Sequence, residues 1–488
     1  MTSLTFYGGV NEIGGNKILL EDRGTKIFLD FGMSFSKANM FFSEFLQPRK
    51  CNVIGDLIEF GLLPDLKGLY RRDFLKHMGK EFEEKPSVQG IFLSHAHADH
   101  SSYINHIRHD VPIFCSKPTK LILEAIQNTS QSGFTDFLDI VENFQIYVNK
   151  QGEYSRKTKQ YHYNDIVIKR DVRGFDFGDK IKIDSLEVYP YPVDHSLPGA
   201  TGFIIHTSEG AIVYTGDIRF HGRRGAESET FVEKCAESKP IAMISEGTRI
   251  NERKGQKEED VEKKVSKIGC KCKGLIVADW PIRDTDRMLS FLNAAKALNR
   301  KLAISTRQAY LLNLLKECND SKIPSIDDEN LCVYSIRKGW GVIRKDFPQR
   351  IKEQDYEHWE KPFLNNCSDH ECISKDPSKY VWFCSNFDLK ELIDIKPRNA
   401  FYVKSTCEPF DVEMEIEQER INNWLRHFNI RMFRTHVSGH ASGTLLGKAV
   451  KRIKPKVLFP VHTEHPGMFR KFGVKTKIVK YGERYGIK

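Results

Sequence analysis

The sequence predicts an α/β protein in which one domain is interrupted by a second, and three features carry that prediction. Short apolar runs rich in Ile, Val and Phe fill the first half, strand and helix patterns alternate regularly from about residue 250, and the first pattern returns after about 430. A chain of 488 residues, 40% of them hydrophobic, can bury two or three domain cores.

The elements follow in chain order. "KILLE", "TKIFLDF", "GIFLSH", "VPIFCS", "LEVYPYPV", "TGFIIHT", "AIVYTGD" and "IAMISEG" read as strands, several closed by turn residues such as "SEGA" at 208–211. "KPTKLILEAIQ" has the clearest helical spacing of this half. The charged segment "NERKGQKEEDVEKKVSKIG" then leads into the strand "GLIVADW", the helix "RDTDRMLSFLNAAKALNR", the strand "KLAIST" and the helix "RQAYLLNLLKEC", an alternation that predicts a small parallel sheet. Asp, Pro and Lys break up the aromatic stretches of residues 320–400, so no element is assigned there. Beyond 430, "GTLLGKAVKRI" predicts a helix and "KVLFPVH" a strand. No repeat of fixed period and no low-complexity tract is present.

Charge and cysteine content narrow the class. Residues 431–488 hold 14 Lys and Arg against two Glu, a surplus of +12 in a chain whose net charge is +10, so the other residues sum to about −2. A concentrated positive surface attracts polyanions, nucleic acid above all, although a solvated basic face would give the same count. No run approaches the ~18 apolar residues of a membrane span, and no basic start precedes an apolar core, so no membrane association is expected. The 11 cysteines are scattered, and Cys270 and Cys272 in "GCKCKG" lack a second pair at zinc-ribbon spacing. Reduced thiols and a cytoplasmic protein are expected.

The run "IFLSHAHADH" at 91–100 sets His95, His97, Asp99 and His100 directly behind a strand. Small Ala96 and Ala98 leave room for imidazoles and a carboxylate to converge at the rim of a sheet, and nitrogen with carboxylate donors suits zinc or a harder ion such as manganese. A histidine-rich surface turn would look the same in isolation. Further donors nevertheless stand where other strands should end: His195 after "YPYPVD", Asp217 in "VYTGD" and His462 in "LFPVH".

This order of His-x-His-x-Asp-His, His, Asp and a distal His resembles the metallo-β-lactamase fold, an αββα sandwich with its metal site on one edge. Glu246 in "ISEGT", the long insert after it, "HVSGHAS" at 436–442 and "PVHTEHP" at 460–466 make the chain similar to the β-CASP nucleases, ribonuclease J and its archaeal relatives in particular. The resemblance covers almost the whole chain. It implies a metallo-β-lactamase domain in two parts, 1–246 and 431–488, around a β-CASP insert at 247–430. It also implies two zinc ions, with manganese as the substitute. His95, His97 and His195 would hold the first, Asp99, His100 and His462 the second, and Asp217 would bridge them. Asp99, Glu246 and His440 are the implied catalytic side chains: His440 would bond the scissile phosphate and protonate the leaving 3′ oxygen, and Glu246 would orient it. Ser438, Gly439, His440 and Ser442 would meet substrate phosphates. Asp30 in "FLDFG" matches an aspartate expected to brace the metal loop. His106, His109, His206, His221 and His465 match no ligand position, and His436 is unassigned.

The implied activity is a metal-dependent ribonuclease on single-stranded RNA, a 5′-to-3′ exonuclease, an endonuclease or both. Histidine at position 462 favours RNA within the superfamily; a DNA nuclease of the same fold is the alternative, and a non-catalytic RNA-binding subunit the third reading. The basic tail could line a groove under the insert, with Tyr481 and Tyr485 available for stacking, and "YSRKTKQYHYND" at 154–165 reads first as a solvated loop. Bacterial ribonuclease J usually carries an extra C-terminal domain linked to dimer formation, whereas this chain stops 26 residues after His462, so a homo-oligomer is left open. Residues 36–88 match the family poorly and are expected to add core packing.

Overall fold

A computed structural model describes every residue except 44, 131–134, 254–255, 339–353, 366 and 410–411. Three large sheets organise it. The first has seven strands in the order Val172–Phe175, Ile113–Ser116, Gly90–Phe92, Thr25–Phe31, Lys17–Asp22, Thr2–Phe6 and Arg484–Ile487. The second has six: Ile181–Ile183, Leu186–Pro192, Thr201–His206, Ala211–Tyr214, Ala242–Ser245 and Val457–Pro460.

Strand alternation sorts the side chains of these two sheets to opposite faces. Ile18, Leu20, Ile27, Leu29 and Phe92 of the first meet Val188, Phe203, Ile205, Ile212 and Phe459 of the second in one core. Leu19, Phe28, Phe31 and Ile91 point the other way, into a core completed by Ile54, Leu57, Ile104, Ile122 and Leu123. On the outer face of the second sheet, Ile204, Val213 and Met243 bury Phe231, Val232 and Cys235 of the helix Gly225–Glu237 and Leu446, Val450 and Ile453 of the helix Gly443–Ile453. The result is two facing sheets with helices outside both.

The third sheet has the order Leu331–Tyr334, Lys301–Ser305, Tyr380–Phe383, Ile276–Asp279, Phe401–Lys404, Arg431–Arg434, and every pairing in it is parallel. Both faces are buried, Ile276, Leu302 and Val381 on one and Val277, Ala303 and Trp382 on the other, which is why these strands read as continuous apolar runs. The chain leaves the second sheet after Ser245 and re-enters it at Val457, and the two strands at the ends of that excursion pair in parallel, Ala242 opposite Val457.

Several features differ from the sequence reading. The strand Arg431–Arg434 pairs with Phe401–Lys404, so the third sheet continues past the expected boundary at residue 430; its Arg-Met-Phe-Arg alternation was absorbed into the basic count of the tail. The charged segment after 250 contains the helix Glu258–Gly269, whose narrow apolar stripe is Val261, Val265 and Ile268. The first and last strands, Thr2–Phe6 and Arg484–Ile487, pair antiparallel and were not foreseen. That pairing buries Tyr485 against Phe6 and Phe459, so it is a core residue with no face for stacking on a strand, whereas Tyr481 stays 42% exposed. The poorly matched stretch 36–88, apart from residue 44, supplies Val53, Ile54, Leu57, Leu62, Leu69 and Phe74 to the core over the first sheet. Residues 154–165, read as a solvated loop, instead hold the strand Tyr154–Arg156, paired with Ile146–Val148, and the start of the helix Tyr163–Ile166, though Tyr154 and Tyr161 are exposed.

No helix of the described residues is long and apolar enough to cross a membrane.

Candidate metal centre

Six strands of the two facing sheets run in one sense and end at a common rim. Thr25–Phe31 and Gly90–Phe92 are parallel neighbours in the first sheet; Ala211–Tyr214, Ala242–Ser245 and Val457–Pro460 are parallel in the second, and Leu186–Pro192 shares their direction through two antiparallel steps. Asp30 stands near the end of Thr25–Phe31, and the turns after the others carry His95 to His100, Asp217, Glu246, His462 and His195. Residues far apart in the chain therefore meet because their strands stop at the same edge.

They form three groups in which the donor atoms lie within 4.8 Å of one another: His95, His97, His195 and Asp217; Asp99, His100 and His462; and Asp217, Glu246 and His440. Asp217 belongs to two of them. Its Oδ2 is 3.6 Å from His95 Nε2, 3.8 Å from His195 Nε2 and 3.2 Å from His100 Nε2, and its Oδ1 is 3.7 Å from His462 Nε2.

The partners behind each imidazole fix which nitrogen faces inward. His195 Nδ1 is 2.6 Å from the Gly439 carbonyl, which can only accept, so Nδ1 carries the proton and Nε2 presents a lone pair to the cluster. His100 Nδ1 donates in the same way to Asp30 Oδ2 at 2.7 Å. His462 Nδ1 is 2.8 Å from Thr248 Oγ1, and the residue sits at φ 52°, in the left-handed region that side chains rarely adopt, with its N–H donating to Gly9 O at 2.8 Å. Asp30, at φ 57° and fully buried, accepts from Ser94 N at 2.6 Å, Ser94 Oγ at 2.7 Å and Tyr214 OH at 2.5 Å. It braces the loop and joins none of the three groups. A Cβ on Gly439 would lie 2.9 Å from His195 Cε1, so only glycine lets this turn approach the imidazole.

These contacts leave a cluster that fits cations. His97 Nδ1 lies 2.9 Å from His95 Nε2 and 3.0 Å from His195 Nε2, and each neutral imidazole has a single N–H, so the facing nitrogens cannot all be paired with one another. Among the described residues His100 Nε2 and Asp217 Oδ1 are buried with no hydrogen-bond partner; the 3.2 Å approach of His100 to Asp217 Oδ2 lacks the alignment of a bond. Burial, then the neighbouring imidazoles, hold His95 and His195 well below the usual histidine range, and burial brings His97 down to about 4, so all three are neutral as metal ligation requires. Burial alone would raise the Asp217 carboxyl, but the imidazoles around it, His100 foremost, keep it well below the usual carboxylate range. Nitrogen and carboxylate donors in this mixture suit zinc or manganese.

Glu246 is fully buried. Its Oε2 accepts from Thr248 N at 2.9 Å, its Oε1 accepts from Ile218 N at 3.2 Å and lies 3.2 Å from His440 Nδ1. Burial pushes His440 down, but the carboxylates of Glu246 and Asp217 outweigh it and raise the imidazole to about 9. His440 opens on a cleft of about 980 Å³ lined also by Ser438, Ser442, His436, Arg249 and Arg434. Ser442 Oγ is buried there with no partner among the described residues, and Ser438 shapes the turn, its Oγ accepting from His440 N at 3.1 Å and its carbonyl from His221 Nε2 at 3.0 Å.

His106, His206 and His465 stand outside the three groups, and His221 and His436 line the cleft. Two orienting residues escaped the sequence reading. Thr248 was within reach, two positions after Glu246 in the quoted "ISEGT". Arg219, which donates to His195 O at 3.2 Å and Asp194 Oδ1 at 3.0 Å, gave no signal, since a single arginine has no pattern.

No protein-family model matches the chain. Among curated proteins it is similar to ribonuclease J 2 of Staphylococcus saprophyticus, 25% identical over 309 residues, 62% of this chain and 44% of that protein. It is also similar to ribonuclease J 2 of Streptococcus pyogenes, 22% identical over 473 residues, 94% of this chain and 69% of that one. The chain thus spans under half the length of the staphylococcal relative. A crystal structure of a protein of unknown function from Enterococcus faecalis V583 shares the fold, with a TM-score of 0.70, 24% identity and 99% coverage of both chains. With the order of its motifs, these likenesses support a ribonuclease J-like relationship to the metallo-β-lactamase and β-CASP proteins.

Proposed function

We propose that the chain is a metal-dependent ribonuclease that hydrolyses phosphodiester bonds of single-stranded RNA, as a 5′-to-3′ exonuclease, an endonuclease or both. In this reading residues 1–246 and the stretch after the strand Arg431–Arg434 are the two parts of a metallo-β-lactamase αββα domain, and the segment from 247 through that strand is a β-CASP insert. The observation that carries it is the meeting of donors from both parts around Asp217, with Glu246 and His440 beside them. His95, His97, His195 and Asp217 would hold one ion and Asp99, His100, His462 and Asp217 the other, zinc in the first instance and manganese as the substitute. Ions bound there would supply a Lewis-acid centre that activates water and neutralises phosphate oxygens.

The chain's own residues do the rest. Glu246, anchored by two backbone N–H groups, holds His440 through Nδ1 and leaves Nε2 for the cleft. A protonated His440 can give the Nε2 proton to the leaving 3′ oxygen. Ser438, Gly439 and Ser442 shape the turn that receives the adjacent phosphate, and Arg249 and Arg434 add positive charge to its wall. Histidine at 462 supports RNA over DNA, and the ribonuclease J 2 relatives support the same substrate class. Scattered free cysteines support a cytoplasmic setting.

The test is product mapping on 5′-labelled single-stranded RNA with monophosphate and triphosphate ends, beside a DNA oligonucleotide of the same sequence. Wild type with zinc or manganese should cleave the RNA, and His440→Ala should lose about 10²–10⁴ of the rate while keeping its metal. Intact RNA, or faster cleavage of the DNA, would sink this reading.

A further inference from the structure

The seam between the helix Lys117–Thr129 and the third sheet holds an unbalanced pair of arginines. Arg283 follows the strand Ile276–Asp279, and Arg307 sits in the first turn of the helix Thr306–Leu315, after the strand Lys301–Ser305. With Ala125, Thr129, Ile282 and Leu311 they line a cavity of about 170 Å³. Among the described residues neither guanidinium has a hydrogen bond or an ion pair, and Arg307 is the more exposed of the two.

This is unusual for the region. Arg219, Arg224 and Arg287, which are buried where Arg283 is half-buried and Arg307 exposed, are matched by Asp194, Asp286, Asp320 and Glu258. Burial, with the charge of Arg307 added to it, brings the Arg283 guanidinium down to about 10. An arginine in a protein keeps its proton, so two guanidiniums lining one cavity with no bonded carboxylate repel each other, and the half-buried Arg283 also loses hydration, while Arg307 is exposed. A single oxyanion between them relieves both costs, and two planar forks match the oxygens of a phosphate.

The place of the pair in the fold says which phosphate. All six strands of the third sheet are parallel, so Arg283 and Arg307 lie on the same carboxyl edge as the turn that carries His440. Their strands are two and four places from Arg431–Arg434 in the sheet order. At about 4.8 Å per strand, that is roughly 10 and 19 Å along the edge, the reach of a few nucleotides.

We propose that Arg283 and Arg307 form a subsite for a backbone phosphodiester of a single strand whose scissile bond lies at His440. The proposal rests on the RNA reading above. It is tested on the full metal-loaded chain by fluorescence anisotropy with uncleavable 2′-O-methyl phosphorothioate oligonucleotides of increasing length, over a range of salt. Wild type should gain affinity as the strand grows long enough to reach the pair. In the Arg283→Gln, Arg307→Gln double variant that gain should vanish, and the log–log salt slope should fall by about 0.7 for each arginine. Arg307→Glu supplies a carboxylate beside Arg283 and should melt no lower than wild type while losing the same gain, which separates lost contact from lost fold. Unchanged length dependence and salt slope in these variants, with RNA still cleaved, would overturn the subsite and leave the ribonuclease reading standing. A wild type that neither binds nor cleaves RNA would overturn both. Stabilisation of wild type by inorganic phosphate, absent in the double variant and with no length effect on RNA, would assign the pocket to a free anion and overturn the strand proposal.

Discussion

Two buried polar clusters touch at His195 and differ in how fully their groups are matched. On one side, Arg219 gives Nη2 to Asp286 Oδ2 at 2.7 Å, and Arg287 gives Nε to Glu258 Oε1 at 2.7 Å, Nη1 to Ser405 O at 2.7 Å and Nη2 to Val437 O at 3.0 Å. On the other, imidazole nitrogens face one another, and among the described residues His100 Nε2 and Asp217 Oδ1 have no partner. The matched network ties the third sheet to the rim of the second through the turn that precedes His440. The unmatched one keeps its lone pairs for something else. Satisfied polar groups hold a site still, and unsatisfied ones mark where a ligand goes.

The largest expected effect tests the unmatched side. Asp217→Asn, or removal of metal by a chelator, should lower RNA hydrolysis by about 10³-fold or more. Metal content per chain, measured by mass spectrometry, should fall with the substitution, and a variant that kept most of both would erase the contrast. On the matched side, Arg287→Met leaves the Glu258 carboxylate buried without its partner and should cost about 3–5 kcal/mol in urea unfolding. A loss below about 1 kcal/mol would mean that the network does not mount the insert.

Asp279 lies between these extremes, since among the described residues its carboxylate accepts a single hydrogen bond, from Tyr402 OH at 3.1 Å. Burial pushes its carboxyl up to about 6 in the folded chain. The folded state therefore holds this proton more tightly than the unfolded one, so the stability it contributes is full below about 4 and is lost as pH rises through about 6, by at most ~3 kcal/mol. Asp279→Asn should flatten that segment of the stability curve, read as the difference between variant and wild type from pH 4 to 7. The smallest effect is expected for Thr248→Val, which removes the partner of His462 Nδ1 and should weaken metal binding about tenfold in a competition titration with a chelating dye.

The donors were legible because metal chemistry leaves a local signature. His95, His97, Asp99 and His100 fall within six positions, and His195, Asp217 and His462 each follow a run that reads as a strand. Of the residues that aim those donors, Thr248 stood within reach beside Glu246, whereas Tyr214 and Arg219 act across the fold and carry no spacing of their own. Strand count was legible where apolar runs were long and failed at the ends of the chain, where Thr2–Phe6 and Arg484–Ile487 become recognisable only by pairing with each other. Tyr485 was misjudged for the same reason. Composition gives a tyrosine in a basic tail, and only the pairing shows that it faces inward. Of the third sheet only Ile276–Asp279 and Lys301–Ser305 were legible; Leu331–Tyr334 and Tyr380–Phe383 lie in the stretch given no element, Phe401–Lys404 was not read, and Arg431–Arg434 was masked by charge.

The pairing of Ala242–Ser245 with Val457–Pro460 also sets an order of events during synthesis. A ribosome has made six of the seven donors by the time residue 217 is added, and the seventh follows only at 462, after the whole excursion has been translated. On the ribonuclease reading, the nascent polypeptide stays tethered beside its own message through that interval with an incomplete donor set, so cleavage of the transcript that encodes it would be withheld until residue 462 has been added.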